Sequence, residues 1–513
     1  MSGPGLIVGL GVCSSSDPVA AAPAITAALA RTTAGELAGA PVLAVATWAD
    51  KADHPAVQAI AKALGAPVRG HDATSLRAQQ PGSARVADLT GGAVGSVAQA
   101  AVLAAGARPL HDKQTAGGCT FVVGVLDGGP WDPLLHHGDV EARGATIDLA
   151  VNVAVSAPPS WLLAVMSDAL FGVAAYPDER PAREVLAAHL GLPEESILLV
   201  NGAAEAFSLL AQARDWRAPL VVHPQFTEPD AALRAAGHPP AHHVLDAREH
   251  FALNPAAVPD VADLVVIGNP TNPTSRLHDT ADLRAVREAG PADRLLVVDE
   301  AFLDVLPADS RSSATLIGEA AVDAGLCVIR SLTKTFGLAG IRAGYVVAAP
   351  PLIARMRQLQ PAWSVNSLAL AAITASATPC AQNHVAAIAA ALPARRQHLV
   401  AGLSLLGFTV VPAPAAPFVL AQHPHAALIR RRLATHGIAV RRADTFPGLG
   451  REWLRLAVRD EATTDQVLSA IAHALAGTAD GDAAAGDTAP GDGIPDQRAA
   501  PDPLDTRERQ EPR

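Results

Sequence analysis

SLTKTFGLAGIRAGY, residues 331–345, is the stretch on which the reading of this chain turns. It begins where one apolar run, CVIRS, ends, and it finishes inside another, GYVVAA. Lys334 therefore sits just past a strand and shortly after Ser331; Arg342 lies further along, and the intervening glycines allow close backbone approach. Outward from this stretch lie more short apolar runs: SILLVNG, PLVVHP, DLVVIGNP and RLLVVDEAF. Each carries a polar residue, Gly or Pro at its C-terminal end, and helical stretches separate them. Strands alternating with helices predict an α/β layered domain. In such open sheets ligands bind outside the carboxyl ends of the strands.

Three of those ends carry chemistry that complements Lys334. VVDEAF (297–302) places Asp299 at a strand end, GNPTNPT (268–274) holds Asn272 in a rigid turn between prolines, and NGAAEA (201–206) is a strand-to-helix junction at Gly202. The free N–H groups of such a junction suit a phosphate. Each motif alone has an ordinary reading: a helix start, a solvated acidic pair, a loop. Together, in the order Gly-loop, Asn, Asp, Lys, Arg, they match the needs of pyridoxal 5'-phosphate. A lysine amine condenses with its aldehyde, a carboxylate keeps its pyridine nitrogen protonated so that the ring is an electron sink, and an amide donates to the ring hydroxyl. A hydroxyl, an arginine and a helix N-terminus hold its phosphate. Lysine occurs only at 51, 62, 113 and 334, so Lys334 has no competitor nearby.

The whole chain sets the frame. Its 513 residues are enough for about two to four domains. A net charge of −11, spread diffusely, argues against nucleic acid or an anionic membrane as the main partner. No run of roughly 18 apolar residues escapes a charge, Pro or Gly, so no transmembrane helix is expected. The start, MSGPGLIVGLGVCSSSDP, lacks a basic n-region, and Cys13, Cys119, Cys327 and Cys380 are scattered with no CxxC. Both features predict a cytoplasmic protein with reduced thiols. The pairs His136–His137 and His242–His243 read as solvated surface, and no metal is expected. Four segments are expected: residues 1–126, a Gly/Pro-rich joint at 127–135, a main domain at 136–477, and a disordered Asp/Gly/Pro/Ala-rich tail at 478–513.

On these residues, 136–477 resembles a fold-type I, aspartate-aminotransferase-like enzyme, with a large α/β/α sheet domain and a small α/β domain. Within that group it most resembles the L-threonine O-3-phosphate decarboxylases of cobalamin biosynthesis (CobC/CobD), relatives of histidinol-phosphate aminotransferase. The resemblance implies Lys334 as the Schiff-base lysine, Asp299 as the pyridinium partner and Asn272 on the ring hydroxyl. It implies Ser331, Arg342 and the backbone at Ala203 and Ala204 on the phosphate, and Phe226, in HPQFTEP, stacked on the ring. Tyr176, in AAYPDERPA, falls where a tyrosine reaches the second subunit's phosphate, which implies a homodimer. Arg455, in WLRLAV, matches the arginine that pairs with a substrate carboxylate. HHGDV (His137 and Gly138), Asn152 in IDLAVNVAVSAPP, and Arg441 in VRRADTFPGL match substrate-side positions of the decarboxylase branch. Two arginines suit a substrate with both a carboxylate and a phosphate. The chain departs from that branch at HGD, where HGG is usual, and at Ala154 and Val155. The alternative activity is aminotransfer on a phosphorylated amino acid of the histidinol-phosphate type; a rival of another class is a corrinoid-binding or scaffolding protein.

Residues 5–126 resemble the CobE / CbiG carboxy-terminal domain through GLGVCSSS, TWADKADHPAVQAIAKALG, GSVAQAAVLAAG and HDKQTAGGCTFVVGVL. GLGVCSSS lacks the third glycine of a dinucleotide fingerprint. Cys13 reads as a nucleophile or, more commonly, as a small residue in a tight turn. The turn at Gly91, Gly92 and Gly95, with Lys113 nearby, reads equally as a site for a carboxylate-rich corrinoid intermediate or as a tight joint.

Overall fold

A computed structural model describes residues 5–33, 42–72, 76, 96–105, 107–111, 113–126, 134 and 136–479. These residues form three sheets. The first has strands β1 (Gly5–Gly11), β2 (Val42–Trp48), β3 (Val68–His71), β4 (Arg108–Pro109), β5 (Gln114–Ala116) and β6 (Cys119–Leu126), in the order β3-β2-β1-β6-β4 with β5 on β6. Alternation along β1 sends Leu6, Val8 and Leu10 against helices 18–32 and 55–64, and Ile7 against helix 97–104. Asp17 starts the first of these helices by accepting the N–H of Val19, with Pro18 at its first position. The Gly91–Gly95 turn lies outside the described residues.

The second sheet contains β8 (Ile197–Asn201), β9 (Pro219–His223), β10 (Ala241–Val244), β11 (Leu264–Gly268), β12 (Leu295–Asp299), β13 (Leu326–Ser331) and β14 (Ala343–Ala348). Their order is β10-β9-β11-β12-β13-β14-β8; all pairs are parallel except those of β14. Helices cover both faces, so Val265, Ile267 and Val298 enter one core while Leu264, Val266 and Val297 enter the other. That is why these strands read as unbroken apolar runs.

The third sheet joins β15 (Thr409–Val410), β16 (Phe418–Gln422), β17 (Ile438–Arg442) and β18 (Trp453–Ala457) to β7 (Ile147–Leu149), in the order β15-β16-β18-β17-β7. Parallel pairing of β7 with β17 lays the segment around residues 136–153 on this smaller sheet. The last helix, Glu461–Ala479, runs two residues past the expected boundary at 477. Of the expected joint at 127–135 only Leu134 is described, and its carbonyl accepts the Thr227 hydroxyl at 2.5 Å. The expected tail beyond residue 479 lies outside the described residues. Among the described residues no helix is long and apolar enough to cross a membrane.

Candidate active site

The carboxyl ends of β9, β11, β12 and β13 lie side by side, and each is followed by a residue singled out above. Phe226 follows β9, Asn272 follows β11, Asp299 ends β12, and Lys334 lies in the short helix Leu332–Phe336 after β13. Antiparallel β14 closes the group. Ser331 is opposite Gly344, and Gly344 is opposite Val200, so Arg342, Ser331 and the start of helix 203–213 converge. Gly202 has φ 73°, and a Cβ there would lie 2.7 Å from the Arg342 guanidinium. The arginine therefore lies directly over the strand-to-helix junction.

Burial shapes the titration of the two central groups. Asp299 is buried and accepts the Ala301 N–H at 3.1 Å, and among the described residues it makes no ion pair. Desolvation pushes its carboxyl up to about 6, against the pull of that N–H and of Lys334. Desolvation, reinforced by Arg455 and Arg342, lowers the Lys334 amine to about 8. The amine donates to Asn152 Oδ1 at 2.8 Å. Asn152, expected among the substrate contacts, thus sits on the lysine itself. The amide oxygen of Asn272 accepts Arg455 Nη1 at 2.5 Å, a contact the sequence reading did not foresee.

The two arginines expected on the substrate side face each other. Arg441 on β17 is directly opposite Arg455 on β18, and both are buried. Arg441 donates to the His136 carbonyl at 2.5 Å and the Thr445 hydroxyl at 2.7 Å; Arg455 also donates to the Ala150 carbonyl. Arg441 Nη1 lies 4.0 Å from Glu141 Oε1, and among the described residues neither it nor Arg455 Nε has a hydrogen-bond partner. Burial lowers Arg441 to about 10, and burial with the neighbouring Arg441 charge lowers Arg455 well below the usual range. Opposed buried cations with spare donors are unfavourable by themselves and are relieved by an anion. Gly138 sits against them: a Cβ there would collide with the Ala150 carbonyl and approach Arg455 Nη2 to 3.4 Å. His137, just before, holds Glu228 Oε1 at 2.6 Å and packs its ring 5.6 Å from that of Phe226.

Residues 146–471 match the family model "Aminotransferase class I and II". The chain belongs to that family. Residues 6–124 match a second model, "Cobalamin synthesis G C-terminus". The chain is 44% identical over 342 residues to a histidinol-phosphate aminotransferase of Mycobacterium tuberculosis, covering 66% of this chain and 91% of the relative. It is 30% identical over 345 residues to a threonine-phosphate decarboxylase of Salmonella typhimurium, covering 66% and 93%. The crystal structure of the histidinol-phosphate aminotransferase from Clostridium acetobutylicum superimposes with a TM-score of 0.59 at 25% identity, covering 63% and 98%. The domain is a fold-type I enzyme, and its cofactor is pyridoxal 5'-phosphate.

The residues of this class I and II aminotransferase domain fit that cofactor. Among the described residues the buried Asp299 carboxylate makes no ion pair, and the backbone junction at Gly202 lies under Arg342. Phe226 is packed from below by Phe207, with ring centroids 6.3 Å apart. Tyr176 points away from its own chain's core: it is 76% exposed and stacks on Trp363 at 4.3 Å. Two contributors escaped the sequence reading. Glu228, which holds His137, had only the weak signal of an acid in the first turn of a helix. Arg459 donates to the carbonyls of Asp148 and Val151 at 2.9 Å and of Val153 at 3.2 Å, clamping the segment that carries Asn152. In the N-terminal block, Cys13 is exposed beside the hydroxyls of Ser15 at 3.2 Å and Ser16 at 3.4 Å, which lower its thiol to about 7.

Proposed function

We propose that residues 136–477 decarboxylate L-threonine O-3-phosphate to (R)-1-aminopropan-2-yl phosphate in cobalamin biosynthesis, as a cytoplasmic homodimer. In this reading residues 1–126 serve the same pathway, with a corrinoid intermediate as their ligand. The observation that carries it is the union, in one chain, of a match to a cobalamin-synthesis family with a pyridoxal-phosphate domain containing two opposed, buried arginines.

Each residue has a defined task. Lys334 would carry the cofactor, Asp299 would pair with its pyridine nitrogen, and Asn272 would meet its ring hydroxyl through the amide NH2. Phe226 would stack on the ring. Ser331, Arg342 and the N–H groups of Ala203 and Ala204 would hold the phosphate, joined by Tyr176 from the second copy. When bound, the cofactor supplies an electron sink for the substrate's Cα bonds. Arg455 and Arg441 grip carboxylate and phosphate, and His137, Gly138 and Asn152 complete the substrate wall. Gripped by these two arginines, the substrate's carboxylate would be oriented for release as CO₂. Lys334, oriented by Asn152 and with its amine near 8, is placed to return a proton to Cα.

The second reading is aminotransfer to or from a phosphorylated amine such as histidinol phosphate. It draws support from the 44% identity to relatives so named. Lys334, Asp299 and Asn272 would serve both, so the products decide. With threonine phosphate alone, the first reading expects CO₂ and aminopropyl phosphate without consumption of any keto acid. Glutamate formed from 2-oxoglutarate, with no CO₂, would move the chain to the second.

A further inference from the structure

Beyond this site, three side chains converge at the outer edge of the large sheet. His223 ends β9, His242 lies on the edge strand β10, and Asp230 belongs to helix Glu228–Ala235. The Asp230 and His223 side chains are both 0% exposed. The two imidazole rings are 4.5 Å apart, and the three potential ligand atoms lie within 4.8 Å of one another. Among the described residues neither ring nitrogen of His223 has a hydrogen-bond partner. Its Nε2 faces Asp230 Oδ2 at 3.6 Å, too long for a hydrogen bond. Buried imidazoles normally satisfy at least one nitrogen, so this one is arranged for something the described residues do not provide. The rest of the cluster is oriented for the same point. Arg234 Nε takes Asp230 Oδ1 at 2.5 Å, leaving Oδ2 toward the histidines, where His242 Nε2 bonds it. His242 is exposed, as the His242–His243 pair suggested, but it also bonds Asp230.

We propose that His223, Asp230 and His242 form a binding site for a divalent transition metal of the zinc class. Two imidazoles and one carboxylate are a common zinc donor set, and bonds of about 2.0–2.2 Å place tetrahedral ligand atoms roughly 3.2–3.6 Å apart. His223 and Asp230 already have that spacing. The ion takes the place of the hydrogen between His242 Nε2 and Asp230 Oδ2, and those two atoms separate to admit it. Arg234 Nη2, 3.4 Å from His242 Nε2, swings toward solvent, which its 44% exposed side chain permits. Its Nε contact with Oδ1 remains as an outer support for the carboxylate. Water takes the fourth position. The site ties β9 and β10 to the helix that begins at Glu228, and so braces the loop bearing Phe226.

The test uses the full chain with its cofactor bound, stripped of metal by chelator and dialysed against zinc. Wild type should retain one zinc ion per chain by elemental analysis, and zinc should raise its melting temperature. His242→Gln, at a partly exposed edge position, and Asp230→Asn should keep the cofactor's absorbance yet bind zinc at least about 100-fold more weakly. Their melting temperatures should not respond to zinc. Cobalt in place of zinc should give the visible bands of tetrahedral coordination in wild type alone. Failure of wild type to retain zinc, or equal retention by the variants, would overturn the site.

Discussion

Asp299 and Lys334 are an acid and a base whose ordinary ionisation is opposed by the same desolvation. The carboxyl is raised to about 6 and the amine lowered to about 8. Without cofactor, folded Asp299 holds a proton between its ordinary 3.8 and about 6, whereas the unfolded chain has released it. Stability from this group is therefore full below about 3.8 and is lost as pH rises through about 6. The loss is on the order of 3 kcal/mol. The stability of cofactor-free wild type relative to Asp299→Asn should therefore fall by that amount as pH rises across the window; urea melts of both proteins at a series of pH values measure it. Parallel slopes in the two proteins would place the raised carboxyl elsewhere. These two residues were legible because each follows a buried strand whose apolar run marks its end. The partner of Lys334 was not: Asn152 lies 182 positions away, and no local periodicity records a contact at that separation. His223 and Asp230 were equally silent, since a lone His before a proline and an Asp in a helix read as ordinary residues until β9 and β10 are paired.

At the scale of elements, the junction from β8 to helix 203–213 shows why the sequence reads well there. The run ILLV predicts the strand, and Gly202 predicts the turn. Backbone at φ 73°, ψ 160° belongs to a region populated essentially by glycine. Gly202→Ala should destabilise the protein by about 1–3 kcal/mol. The added Cβ, 2.7 Å from the Arg342 guanidinium, should also push that arginine off the phosphate position. Cofactor affinity, followed by absorbance titration of the cofactor-free protein, should fall at least about tenfold, equivalent to about 1.4 kcal/mol. Unchanged affinity would remove Arg342 and this junction from the phosphate site. The smaller sheet was less readable. β7 is three residues long and pairs with β17 nearly 300 positions later, so its strand character comes from that partner and not from its own sequence. Arg459 is hidden for the same reason: its carbonyl partners belong to the segment that β7 brings alongside.

At the scale of the molecule, the proposed homodimer rests on a surface that one chain leaves uncovered. Phe171 is 92% exposed, Leu170 52%, Val173 55%, Tyr176 76% and Trp363 59%. Exposed apolar side chains gathered along one stretch mark an interaction surface. Tyr176 stands among them on Trp363, turned outward where a second copy can receive it. If it completes the neighbour's phosphate site, every active site draws Lys334 from one chain and Tyr176 from the other. Lys334→Ala removes the first contribution and Tyr176→Ala the second. Arg455 is unsuitable as the second lesion, because it bonds Asn272 within the same chain and would share a site with Lys334. When the two single variants are co-expressed, about half of the dimers are mixed. Each mixed dimer rebuilds one complete site and leaves the other doubly damaged. Activity should therefore return to about a quarter of wild type, while each variant alone stays near background. Activity no greater than the sum of the two variants would mean that Tyr176 acts within its own chain or not at all.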